Sequence, residues 1–146
     1  MVFSGTPYYI AATHKVTTFS QDNSLRGAWI NDSDQVVGQD SLTQKAFEVS
    51  STGQITQLGA LGGSRSAAVA INDSGAIVGT SDTSSGSSVF LDANGSMEDL
   101  NNLAPPSETG WTLTGVTSIN NSGQILASGV SAPGGATHQL LLLPTG

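Results

Sequence analysis

Three segments of the chain share one alternation of apolar and polar positions. In residues 67–81, AAVAINDSGAIVGTS, two apolar runs flank Asn72-Asp73-Ser74-Gly75. AWINDSDQVVGQD at 28–40 and TSINNSGQILASG at 117–129 repeat the phrase. Short period-two alternation bounded by Asn, Asp, Ser and Gly predicts β-strands joined by tight turns, because those residues tolerate positive φ and hydrogen-bond their own backbone. The second copy predicts strands over residues 67–72, 76–81, 88–91 and 97–100, with turns at 73–75 and 92–95 and a Ser-rich loop at 82–87. That order is a four-stranded antiparallel meander.

The other copies follow the same plan. The first predicts strands over 27–31, 35–39, 45–49 and 54–58, and the third over 114–120, 124–128 and 138–143. Ile30, Ile71 and Ile119 hold one place in the three copies, 41 and 48 residues apart, within the roughly 40–50-residue period of propeller blades. The predicted fold is all-β, one domain over residues 1–146, with units at about 25–58, 59–100 and 101–146 plus 7–12. Tyr8-Tyr9-Ile10-Ala11 has the apolar pattern of a fourth strand. It is expected to pair beside Leu140–Leu143, completing the last sheet of a β-propeller-like array and removing two exposed edges. Propellers usually have about four to eight blades, so two alternatives stay open: half of a six-bladed ring completed by a second chain, or a β-prism or β-trefoil.

Composition changes the picture mainly by exclusion. A chain of 146 residues buries roughly 70% of its unfolded surface. Charged residues make up only 10% of it and Gly numbers 18, which suits short strands and turns rather than long helices. A formal net charge of −7 lacks the basic stripe that nucleic acids and anionic membranes require. Cys is absent, which removes disulfides, thiolate metal sites and Cys nucleophiles. No apolar run approaches the ~18 residues of a membrane-spanning helix. The start, MVFSGTPYY, shows no basic region followed by a long apolar one, so no signal peptide is read there and a removed leader stays open.

Leu58-Gly59-Ala60-Leu61-Gly62-Gly63-Ser64-Arg65-Ser66-Ala67, followed by Ile71-Asn72-Asp73-Ser74-Gly75-Ala76-Ile77-Val78-Gly79, resembles the bacterial extracellular HAF-repeat family, named after a His-Ala-Phe tripeptide. The resemblance runs from about Gly27 onward, and the naming tripeptide is degraded to Lys45-Ala46-Phe47, Ser88-Val89-Phe90 and His138-Gln139-Leu140. It implies a secreted, propeller-like repeat protein, extracellular or periplasmic, and implies no reaction. It also places His138 in the family's His position, where a structural hydrogen-bonding role competes with a catalytic one.

In such a meander the hairpin turns point to one end and the longer connections to the other. His14, His138, Asp22, Asp40, Asp82, Glu108, Arg65, Lys15 and Trp111 all fall on the long-loop end, and sites on rigid β scaffolds are commonly built there. Two function classes follow. One is a metal-assisted hydrolase of small esters or lactones, such as acyl-homoserine lactones. Asp22, Asp40, Asp82 and Glu108 would hold Ca²⁺, His14 or His138 would act as base, and Arg65, Trp111 and Lys15 would bind substrate. Its warrant is analogy with propeller lactonases at the level of fold. The other class is a non-catalytic extracellular module binding carbohydrate or a protein partner, as a monomer or homodimer. A Ser nucleophile has little support, since no Gly-x-Ser-x-Gly occurs. Each candidate also has a plain role: Asp40 and Asp82 as turn caps, Trp111 as core, His14 as a solvated loop residue.

Overall fold

The computed structural model describes residues 23–145, together with the backbone of two short strands before them. Those strands, β1 (Tyr8–Ile10) and β2 (Val16–Thr18), pair with each other antiparallel. Three meander sheets follow. The first unit contains β3 (Leu25–Ile30), β4 (Val36–Asp40), β5 (Lys45–Val49) and β6 (Ile55–Gly59). The second contains β7 (Gly62–Ile71), β8 (Ile77–Thr83), β9 (Ser87–Ala93) and β10 (Ser96–Asp99). The third contains β11 (Thr112–Ile119), β12 (Ile125–Val130) and β13 (His138–Leu142). In each sheet, strands adjacent in sequence pair antiparallel. The all-β expectation and the meander order hold. Among the described residues no helix is long and apolar enough to cross a membrane.

Two expectations are corrected. The Tyr8 strand does not complete the last sheet: it pairs with Val16–Thr18, and the third sheet ends at β13. Pairing with a neighbour in sequence closes a short loop and costs less chain entropy than joining the two ends of the chain. Leu100 does not end the fourth strand of the second unit either. It starts α1 (Leu100–Leu103), because the Asp99 side chain accepts the Asn101 N–H and caps a helical turn. The connection expected to be a loop then holds a second short helix, α2 (Pro106–Thr109), which begins at a proline and ends at Gly110 in the left-handed region.

The first hairpin of each unit carries a bulge at the same repeat position: between Gly27 and Trp29, between Ala68 and Ala70, and between Val116 and Ser118. Just across from it, Gly38 and Gly79 face Phe47 and Phe90, whereas Ala127 faces Leu140. A Cβ built on Gly79 would lie 2.1 Å from the Ala67 carbonyl oxygen and 2.7 Å from the Phe90 ring. The larger ring thus goes with glycine, and the smaller leucine with alanine.

Consecutive units pack face to face. Val37 and Ala46 of the first sheet form one buried cluster with Ala68, Ile71, Ile77 and Phe90 of the second. Ala70, Val78 and Val89 of the second sheet form another with Leu113, Ile119, Ile125 and Ala127 of the third. A third cluster, Leu25, Val36, Phe47 and Val49, belongs to the first sheet alone. By strand alternation it lies on the side turned away from the second unit.

A ladder of side-chain hydrogen bonds joins the turn ends. Asn31 Nδ2 donates to the Asn72 carbonyl at 2.8 Å, and Asn72 Nδ2 to the Asn120 carbonyl at 3.0 Å. Beside them the Asp32 N–H donates to Asp73 Oδ1 at 2.8 Å, and the Asp73 N–H to Asn121 Oδ1 at 2.9 Å. Each Asn also uses Oδ1 to cap its own turn. Asn120 Nδ2, at the end of the series, donates to Gln124 Oε1 of its own turn. Among the described residues no hydrogen bond joins the third turn back to the first.

Candidate functional site

The long-loop end collects the β4–β5, β8–β9 and β12–β13 loops and the connections between units. Small polar side chains tie it together. Ser66 Oγ, buried, accepts the Ala46 N–H at 2.8 Å and donates to the Gly59 carbonyl. Asn101 accepts the Leu113 N–H at 2.8 Å, and its amide donates to the Leu113 carbonyl at 3.0 Å and to Ser88 Oγ at 2.9 Å. Ser88 Oγ in turn donates to Asp99 Oδ1 at 2.6 Å. The Leu-Gly-x-Leu-Gly-Gly-Ser-Arg-Ser stretch and the Leu100-Asn101-Asn102-Leu103 segment therefore both serve the connections between units.

The residues read from sequence have separate fates. His14, Lys15 and Asp22 lie outside the described residues. Asp40 is buried at the end of β4. Burial pushes its carboxyl up, but the Leu42 N–H at 2.9 Å, the Gln57 amide at 2.9 Å and the Ser24 and Thr43 hydroxyls outweigh that and hold it below 3.8. It is a loop cap. Asp82 is half-buried in β8, Glu108 sits exposed on α2 and Arg65 is exposed on β7. Among the described residues no three carboxylate or imidazole groups converge to hold a metal ion. The structure does bring Trp111 and His138 together: the rings stand edge to face, centroids 5.2 Å apart at 66°.

Among the described residues, hollows absent from the sequence reading also form. An open groove of about 480 Å³ runs along β10 to α1, with Leu61, Met97 and Leu103 as apolar lining and Thr83, Glu98, Asp99 and Asn102 as polar lining. β10, which supplies three of the lining residues, is the outer strand of its sheet. Alternation along Ser96–Asp99 hints at one exposed face, but no sequence pattern brings Leu61 beside Leu103.

The second hollow, about 250 Å³, lies toward the turn end between the first two units and includes Gln35, Glu48, Gln57, Asp92 and Asn94. Gln35 Nε2 donates to Glu48 Oε1 at 2.7 Å. Asp92 is buried. That burial, together with the Glu48 charge, pushes its carboxyl above 3.8 against the opposing Gly95 N–H. In sequence Asp92 reads only as a turn residue, since the apposition of Glu48 depends on two units packing.

No protein-family model, no curated protein and no solved structure matches the chain.

Proposed function

We propose that the chain is a propeller-like, secreted binding module of the HAF-repeat kind, and that it binds an extended segment of a protein partner along β10. The groove beside that strand carries the reading. An edge strand offers free N–H and C=O groups, to which a peptide can add as one more strand. Leu61, Met97 and Leu103 supply apolar contact, and Glu98 and Asp99 favour basic side chains on the peptide. The repeated residues are meanwhile spent on turns and unit junctions.

The test is binding of labelled peptides that alternate apolar residues with Lys or Arg, compared with acidic counterparts of the same pattern. Basic peptides should bind, and Glu98→Lys and Leu103→Asp should each weaken binding at least tenfold, about 1.4 kcal/mol. Equal binding of basic and acidic peptides, or no binding to the wild-type chain, rejects the reading.

A second reading is favoured by the Trp111–His138 contact, which steadies an imidazole beside open loops. His138 would then accept a proton from water attacking a small ester or lactone. A hydrolysis screen with added calcium and with chelator tests it. Turnover unchanged in His138→Ala removes His138 from the reaction.

A further inference from the structure

We propose that the third unit is a docking surface for a second copy of this chain, which seats the turn end of its first unit there, head to tail. The proposal is independent of the peptide groove, because it rests on how the internal junctions are made.

At the turn end of both junctions the Asn amide of the earlier unit and the N–H that follows it donate to the later unit, and at the second junction Asn121 Nδ2 also donates back to Asp73 Oδ2 at 2.7 Å. The donors are Asn31 Nδ2 and the Asp32 N–H, then Asn72 Nδ2 and the Asp73 N–H. The acceptors are the next carbonyl and the next side-chain oxygen. The two ends of the series therefore carry complementary halves. The third unit offers Asn120 Nδ2, which donates to Gln124 as Asn31 Nδ2 does to Gln35 but among the described residues reaches no further unit, and the Asn121 N–H. The first unit offers the Asn31 carbonyl and the exposed Asp32 carboxylate.

Apolar exposure follows the same logic. Ile71 and Ile119, which enter the internal junctions, are 2% and 9% exposed, while Ile30 at the same place is 48% exposed. On the receiving side Val37 and Val78 are both 0% exposed, while Leu126 at the same place is 39% exposed, with exposed Leu141 beside it. The cluster of Leu25, Val36, Phe47 and Val49 is already buried, so the new contact is made by Ile30 and the turn. A contact between different patches on the two copies is heterologous. It closes into a ring where the rotation allows and otherwise continues as a chain of copies.

The occupant follows from this match: one repeat unit presents both the apolar side chain and the acceptors that the end of another lacks. The intact chain should show a weight-average mass that rises with concentration above the 14.8 kDa of one copy. Ile30→Asp breaks the entering end and Leu141→Asp the receiving end, both at exposed positions, with folding of each checked by circular dichroism. Each variant alone should associate at least tenfold more weakly than wild type, a change of about 1.4 kcal/mol. An equimolar mixture should regain one junction, using the intact end of each. Asp32→Arg replaces Ile30→Asp should the latter fail to fold.

Growth to two copies or beyond, with rescue in the mixture, supports the proposal. A mass that stays at one copy overturns it. So does self-association of Ile30→Asp at wild-type strength, which would mean a symmetric contact between two third units. Failure of two folded variants to rescue each other overturns it as well.

Discussion

Replacing Asn72 by alanine deletes four side-chain hydrogen bonds at one buried residue. Nδ2 gives up the Asn120 carbonyl at 3.0 Å. Oδ1 gives up the Ser74 N–H at 3.2 Å, the Ser74 hydroxyl at 2.8 Å and the Ala76 N–H at 2.9 Å. At a net ~0.5–1.5 kcal/mol each, with partly buried groups left unpaired, the loss is roughly 2–4 kcal/mol. That is a large share of the ~5–15 kcal/mol typical of a folded domain, and lowers Tm by roughly 5–15 °C. Urea unfolding followed by circular dichroism measures it, with the midpoint falling and the slope unchanged. Asn72→Asp separates the two roles, since a carboxylate still caps the turn but has no amide to donate across the junction. It should lose about 1–2 kcal/mol. Asn120→Ala removes only bonds within its own exposed turn and should cost less than about 1 kcal/mol. The reasoning is refuted if Asn72→Ala stays within about 0.5 kcal/mol of wild type, or if Asn120→Ala costs as much.

Other consequences follow from single sites. Gly79→Ala forces a methyl against the Ala67 carbonyl and the Phe90 ring, a loss of about 1–3 kcal/mol. Adding Phe90→Leu, which recreates the Ala127–Leu140 pair, should recover part of it in a double-mutant cycle of urea midpoints. Asp34 stands at φ 61 where the other copies have Gly75 at φ 85 and Gly123 at φ 77, so Asp34→Gly should raise stability by up to about 1 kcal/mol. For Asp92 the folded carboxyl lies above its ordinary value. The folded state therefore holds the proton more tightly, and this group costs stability as pH rises through its folded value. Asp92→Asn keeps an acceptor for the Gly95 N–H and should melt above wild type at neutral pH. That advantage should shrink as pH falls toward 3.8, and thermal melts across that range would show it.

The alternation and the Asn-x-Ser/Asp turns determined the hairpins, because period-two burial and turn chemistry are local. The sequence by itself therefore yields three meanders in the observed strand order, with the turn ends and loop ends correctly opposed. It misassigned Leu100, where Asp99 prefers to cap a helical turn, and the Tyr8 strand, which has a nearer partner in Val16–Thr18.

What only tertiary structure decided lies between units. Asn31, Asn72 and Asn120 look alike as turn formers, and Asn31 and Asn120 both donate to the Gln of their own turn, yet only the first two also reach the next unit among the described residues. One amide can serve both bonds, as that of Asn31 does, so the letter N does not tell which residue reaches a neighbour. The candidate site divides in the same way. Asp40 was legible as a cap because its partners, Leu42 in the adjoining turn and Gln57 on β6, belong to its own unit. The meeting of Trp111 with His138, the Glu48 charge near Asp92 and the groove from Leu61 to Leu103 join segments distant in the chain. Their chemistry depends on packing distances that no local pattern encodes.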